Sequence, residues 1–164
     1  MAKINRIVVH CSASPTGSAI EIDKWHRARG FRCIGYVGVI SNGRPIPGVY
    51  WPFADGQWEW GRPVNGDQII DPWEVQAQAL GYNDQSVGFC MIGNPPPNKL
   101  AKTDAEVRNI FTLAQIGRMK IITSIFLAQF KLPISAVICH NEVEPGKSCP
   151  GFTGEWLRNF IARP

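Results

Sequence analysis

Four short runs rich in apolar residues, set between segments of helical periodicity, restrict this chain more than any other feature. They are residues 4–10 (INRIVVH), 34–40 (IGYVGVI), 86–92 (SVGFCMI) and 136–140 (AVICH). Each is too short for a typical helix and too continuously apolar for a strand with one wet face. Each therefore reads as a buried strand. Between them, residues 21–29 place Ile22 and Trp25 on one apolar face and stop at Gly30, a helix with its terminator. Thr103 and Glu106 have the spacing of a capping box that opens a long helix. Its apolar positions from Val107 to Phe126 recur every three or four residues, with a bend expected at Gly117. Residues 155–162 form a last helix, and residues 57–60 a short strand after the Asp55-Gly56 turn. Asn42-Gly43 marks a further tight turn. Strands interleaved with helices predict an α/β fold with a central mixed sheet and helices flanking it.

At 164 residues, without an internal repeat and with only the stiff 94–98 loop (NPPPN) resembling a linker, the chain is expected to be a single domain over 1–164. Hydrophobic residues make up 45% and charged residues 18%, a balance that excludes intrinsic disorder. No apolar run is long enough for a membrane span. The N-terminus lacks the features of a secretory signal, which predicts synthesis in the cytoplasm. Five cysteines, an odd number, argue against a disulfide framework in that setting. Metal binding, nucleophilic chemistry and core packing remain as uses for the thiols. A net charge of +4 suits anionic partners but is too small to point to nucleic acid, and no nucleic-acid partner is expected.

Two of the three histidines share a setting. His10 ends the first strand and His140 the last, so adjacent strand ends can bring two imidazoles together. Cys149 follows within the rigid turn PGKSCPG, residues 145–151, which can fold its thiol back towards His140. Two imidazoles and a thiolate form a three-ligand zinc set with the fourth position left for water. The same residues also serve as ordinary structural side chains, and spacing alone leaves both readings open. Cys11 and Cys139, each beside a candidate ligand, are expected on the opposite face of their strands, in the core. Cys33, Cys90 and His26 read as structural.

Six blocks in order, VVHCSAS, WHRARGF, IGYVGVI, ADGQWEWGRP, GYNDQSVGFCMIG and CHNEVEPGKSCPGF, resemble the zinc-dependent N-acetylmuramoyl-L-alanine amidases. The likeness is to the amidase-type lysozymes (endolysins) of bacteriophages, which share a fold with the peptidoglycan recognition proteins. It covers roughly residues 4–160. It implies one Zn2+ per chain held by His10, His140 and Cys149, with Tyr36 and Lys147 as catalytic residues. It implies hydrolysis of the bond between N-acetylmuramic acid and L-alanine, by a protein that reaches the cell wall from the host cytoplasm at lysis. Three departures stand out. Val37 follows Tyr36 where relatives usually have His. The segment Ala77-Gln78-Ala79-Leu80 replaces a region where relatives often carry a second His. Residues 41–54 are an insertion, which also makes Tyr50 a rival to Tyr36.

For substrate contacts, the insertion residues Arg44, Tyr50 and Trp51, together with Arg62, are the candidates. The basic pair would meet stem-peptide carboxylates. Trp58, Trp60 and Trp73 fall near them in sequence and read either as groove-lining stacking surfaces or as core. Glu142 is a candidate to orient His140. The expected partner is peptidoglycan and the expected state a monomer. Competing readings are a non-catalytic peptidoglycan-binding module, a cytoplasmic cell-wall recycling amidase, and a thiol hydrolase with Cys149 as nucleophile and His140 as base.

Overall fold

The computed structural model describes residues 2–49 and 53–164, so Tyr50 and Trp51 lie outside the described residues. Its chain order is β1 (Ala2–Lys3), β2 (Arg6–Cys11), α1 (Ala19–Ala28), β3 (Gly38–Asn42), β4 (Asp55–Trp60), β5 (Ile69–Ile70) and β6 (Ser86–Met91). After these come α2 (Asp104–Arg108), α3 (Leu113–Phe130), β7 (Val137–Cys139), α4 (His140–Val143) and α5 (Gly154–Ala162). Five strands form one sheet in the order β4-β3-β6-β2-β7, and β1 pairs with β5 in a separate ribbon. Within the large sheet β2 runs parallel to β6 and to β7, and β3 runs parallel to β6. Only β4 is antiparallel to its neighbour β3. The expected mixed sheet with flanking helices is therefore what the chain forms.

The apolar runs explain the layering. β2 and β6 are central, so both faces of each must be covered. Ile7, Val9 and Cys11 of β2 pack with Val87, Phe89 and Met91 of β6 in the larger core, which α3 and α5 close through Met119, Phe126 and Leu157. The alternate positions face the other way. There Cys90 and Val39 join Ile22 and Ala19 of α1 in a smaller cluster that Tyr36 packs against. Cys11 and Cys139 sit in the larger core as strand alternation predicts.

Several boundaries differ from those expected. The long helix expected from Thr103 is two helices, and the break precedes Gly117. Thr103 caps only α2; Thr112 then adopts an extended backbone and forms a capping box with Gln115 that starts α3. A second capping box inside a periodic stretch restarts the helix, and hydrophobic periodicity alone does not register it. Gln115 is fully buried, and its amide donates to the carbonyls of Ile40 (3.1 Å) and Ile92 (2.9 Å), tying α3 to two strand ends. The strand expected over 34–40 is regular only from Gly38. Trp58 lies over that glycine so closely that a Cβ there would stand 2.1 Å from the indole. Asn42-Gly43 does not close a hairpin, because the insertion separates β3 from β4.

Glu59 on β4 is the unusual polar group of this frame. It is 8% exposed, one carboxylate oxygen accepts the Ala19 N–H at the start of α1 (3.0 Å), and the other has no partner among the described residues. Burial pushes its carboxyl up to about 7 from an ordinary 4.5. The folded protein thus holds a proton that the unfolded chain releases, and stability is lost as pH rises from about 4.5 to about 7. Glu59→Gln should raise the melting temperature at pH 8 relative to the parent and change it little at pH 4.5. A difference that does not vary with pH would refute this assignment.

Candidate metal centre and active-site cleft

Parallel pairing builds the centre. Val9 of β2 stands beside Cys139 of β7 in register, so the next residues, His10 and His140, emerge side by side. Their ring centroids are 4.5 Å apart. At His140 the chain leaves the sheet and turns into α4, and the loop that follows brings Cys149 back. The Asn141 N–H donates to the Cys149 carbonyl (2.8 Å), closing the loop onto the start of α4. The Cys149 sulfur accepts the Cys11 N–H at 3.2 Å and lies 3.7 Å from Nδ1 of His10. One potential ligand atom from each of His10, His140 and Cys149 falls within 4.8 Å of the others, a group able to hold a metal ion. Cys139, one residue before His140, shows the expected opposite orientation and is buried in the core.

Burial sets the protonation of this trio. His10 is 1% exposed, and desolvation, reinforced by the neighbouring His140, lowers its pKa to about 3. His140 is also lowered, chiefly by burial. Both imidazoles are therefore neutral and each keeps one lone pair for a ligand. Its neighbour Cys11 and burial together push the Cys149 thiol well up.

His140 and Cys149 line a cleft of about 560 Å³. Tyr36, Lys147, Ser12 and Asn94 line it, together with Trp25 of α1 and Arg29 just after that helix. The Tyr36 ring lies 5.0 Å from that of His10. Burial pushes its phenol well above 10, so Tyr36 is a hydrogen-bond donor at neutral pH. Glu144 joins the two sides of the site: its carboxylate meets Nε2 of His140 at 2.9 Å and Nζ of Lys147 at 3.4 Å.

The structure brings together His10, His140, Cys149, Tyr36 and Lys147, but not the expected substrate contacts. Arg62 is 6% exposed, and its guanidinium donates to the carbonyls of Ile34, Val75 and Cys33. It clamps the segment before β3 and does not enter the cleft. Arg44 is exposed on the insertion and lies outside the cleft lining. Trp58 packs on Phe89 and Phe126, and neither Trp60 nor Trp73 lines the cleft; among the described residues the tryptophan that does is Trp25. Glu142 accepts the Cys139 N–H (2.7 Å) and pairs with Arg158 (3.1 Å), away from the imidazole. The carboxylate on His140 is Glu144. The chain turns helical at His140, so the residue one helical turn on is the one that meets its ring. His26 is structural as expected, with its Nδ1 accepting the Gly35 N–H (2.9 Å), although its ring also reaches the cleft wall.

The family model described as N-acetylmuramoyl-L-alanine amidase matches residues 1–152. The endolysin of Escherichia phage T7 is 32% identical over 161 residues, covering 94% of this chain and 87% of the relative. The endolysin of Enterobacteria phage T3 is 30% identical, covering 98% and 90%. Among solved structures, the N-acetylmuramoyl-L-alanine amidase LysC from Clostridium intestinale URNW superposes with a TM-score of 0.69 at 18% identity, covering 99% of this chain and 87% of that one. Wild-type Drosophila PGRP-LB gives 0.64 at 19% identity, covering 100% and 83%. At that identity these two structures speak for the fold.

The state of Tyr36 can be measured directly. In the ultraviolet titration of the metal-free protein, Tyr36→Phe should remove a phenolate signal that appears only well above the ordinary tyrosine value of about 10. Loss of a signal centred near 10 instead would show that the phenol is not shielded.

Proposed function

The chain belongs to the N-acetylmuramoyl-L-alanine amidase family, and on that premise we propose that it is a zinc-dependent endolysin. It cleaves the amide between N-acetylmuramic acid and the first L-alanine of the peptidoglycan stem peptide. The observation that carries this reading is the convergence of His10, His140 and Cys149 within 4.8 Å beside a cleft that His140, Cys149, Tyr36 and Lys147 line.

The donor set fits zinc. A tetrahedral zinc with ordinary bond lengths separates a nitrogen from a sulfur ligand by about 3.6 Å. Nδ1 of His10 and Sγ of Cys149 stand 3.7 Å apart. Neutral imidazoles are the form that ligates, and a divalent ion supplies the charge that a buried thiolate needs. When bound there, zinc would polarise a carbonyl and lower the pKa of a water to about 7.

The protein's own groups then act on the developing charge. Tyr36 holds its proton and can donate to the carbonyl oxygen as it becomes an oxyanion. The Lys147 ammonium, which lines the same cleft, adds a positive charge. Each well-placed donor of this kind contributes roughly 2.7–4 kcal/mol to the transition state. Water adds to the lactyl carbonyl, the C–N bond breaks with its electron pair passing to nitrogen, and the proton released by water completes the free alanine amine.

A thiol hydrolase with Cys149 as nucleophile needs His140 as its base, whereas the imidazole nitrogen that the Cys149 sulfur meets is Nδ1 of His10, at 3.7 Å. The relatives in phages support a biological role in lysis: synthesis in the bacterial cytoplasm, followed by release onto the wall.

Mass analysis of digested peptidoglycan should reveal new L-alanine amino termini and intact glycan. Cys149→Ala should lose both the bound zinc and the activity. Lys147→Ala should keep its zinc while kcat falls about 100- to 1000-fold, the usual loss for one oxyanion donor. Undiminished cleavage in the presence of a strong chelator would sink the metal mechanism.

A further inference from the structure

Gln78 lies in the segment where the sequence resemblance leads one to expect a second histidine. It is 68 residues from His10 in sequence, yet its side-chain oxygen lies 2.5 Å from Nε2 of His10. Its amide nitrogen donates to Oγ of Ser86 at 2.7 Å, and that hydroxyl donates to the Tyr82 carbonyl at 2.6 Å. Ser86 is fully buried and Gln78 is 8% exposed. The backbone of the segment is pinned as well, since the N–H groups of Gln78 and Ala79 both donate to Oδ1 of Asn83, at 2.9 and 2.8 Å. The amide lies across Gly88, where any Cβ would come within 2.5 Å of it.

The chemistry of the end group gives every bond in this chain a direction. A backbone carbonyl can only accept, so Ser86 spends its one proton on Tyr82. Towards Gln78, Ser86 must then accept, and the amide nitrogen must face it. The opposite end of the amide is an oxygen, which also only accepts. Nε2 of His10 is therefore the protonated nitrogen, and Nδ1 keeps the lone pair, on the side facing Cys149. A flipped amide would set two donors against each other at His10 or two acceptors at Ser86, both buried. An unmade bond of that kind costs about 1–3 kcal/mol.

We propose that Gln78 is a positioning residue that fixes the Nε2–H tautomer of His10, through a directed relay from the Tyr82 carbonyl, and so presents Nδ1 to the metal. The inference rests on the zinc reading above. Glu144 occupies the corresponding place on His140, where its carboxylate takes Nε2. The two histidines are thus oriented by different means. One is buried and held by a neutral amide; the other is at the cleft edge and held by a carboxylate that water can reach. The difference follows from desolvation, because an unpaired carboxylate at the position of Gln78 would be costly to bury.

The test combines nitrogen NMR of the histidine rings in metal-free protein with zinc affinity measured by competition against a chromophoric chelator. In the parent protein His10 should carry its proton on Nε2. Gln78→Met keeps the length and bulk of the side chain but offers no oxygen. It should retain the fold, populate both tautomers of His10 and bind zinc about 10- to 100-fold more weakly, as expected for loss of a group that orients a ligand. Zinc affinity of Gln78→Met equal to that of the parent overturns the proposal. So does a parent protein protonated at Nδ1 of His10, a result that does not depend on how the variants fold. A parent that takes up no zinc refutes the metal reading instead, while the tautomer measurement still decides the relay.

Discussion

The parallel register between β2 and β7 is the constraint on which the site depends. Val9 beside Cys139 puts His10 and His140 at one level. A slip of one residue would turn one imidazole to the opposite face, into the apolar layer that Ile7 and Val9 form with α3 and α5. Burial on both faces is what prevents the slip, since almost every side chain of β2 and β6 is enclosed. The apolar sequence of the strands thus fixes the relative position of two polar groups at their ends. Parallel pairing requires crossovers, and it is the crossover from β2 to β3 that carries α1 and with it Trp25 and Arg29 onto the cleft wall.

Locally encoded features were legible in the sequence. Apolar runs identified the central strands, a glycine marked the end of α1, and strand alternation correctly sent Cys11 and Cys139 into the core. The candidate ligands could be named because each ends a strand or sits in a rigid turn, and a family resemblance raised them above the structural alternative. What stayed illegible depends on contacts between segments distant in sequence. Nothing near Gln78 marks it as a neighbour of His10, and nothing near Arg62 shows that three carbonyls claim its guanidinium. An arginine beside a turn suggests a substrate contact only as long as its burial is unknown. The tryptophans mislead for a related reason: clustering in sequence put Trp58 near the candidate groove, whereas strand pairing sets it over Gly38 in the core.

Desolvation acts on all the buried ionisable groups of the centre in one direction. His10 and His140 are each shifted towards their neutral forms, and Tyr36 is held protonated. Among the described residues that line the cleft there is no Asp or Glu, while Arg29 and Lys147 are both present. The walls therefore offer neutral donors and positive charge. Such a cleft favours a developing oxyanion more than it favours a cationic intermediate, which accords with acyl chemistry at a carbonyl and not with chemistry that builds positive charge.

The ten residues from His140 to Cys149 compress most of this machinery into one structural unit. His140 opens α4, Glu144 lies one helical turn on, Lys147 follows in the turn, and Cys149 closes it. Glu144 touches both an imidazole and the lysine, so the orientation of one ligand and the location of the ammonium are not independent. That pair is partly exposed, and water limits what such an ion pair adds to stability. Its effect is geometric: it restrains a flexible four-carbon side chain that would otherwise sample solvent. The Asn141-to-Cys149 backbone bond supplies the stiffness that exposed charges cannot. A centre able to hold a metal at these strand ends has to keep one side open to a polymeric substrate and yet hold its candidate ligands still. Here rigidity comes from main-chain bonds and buried strands on the closed side, and the charged side chains are left at the mouth.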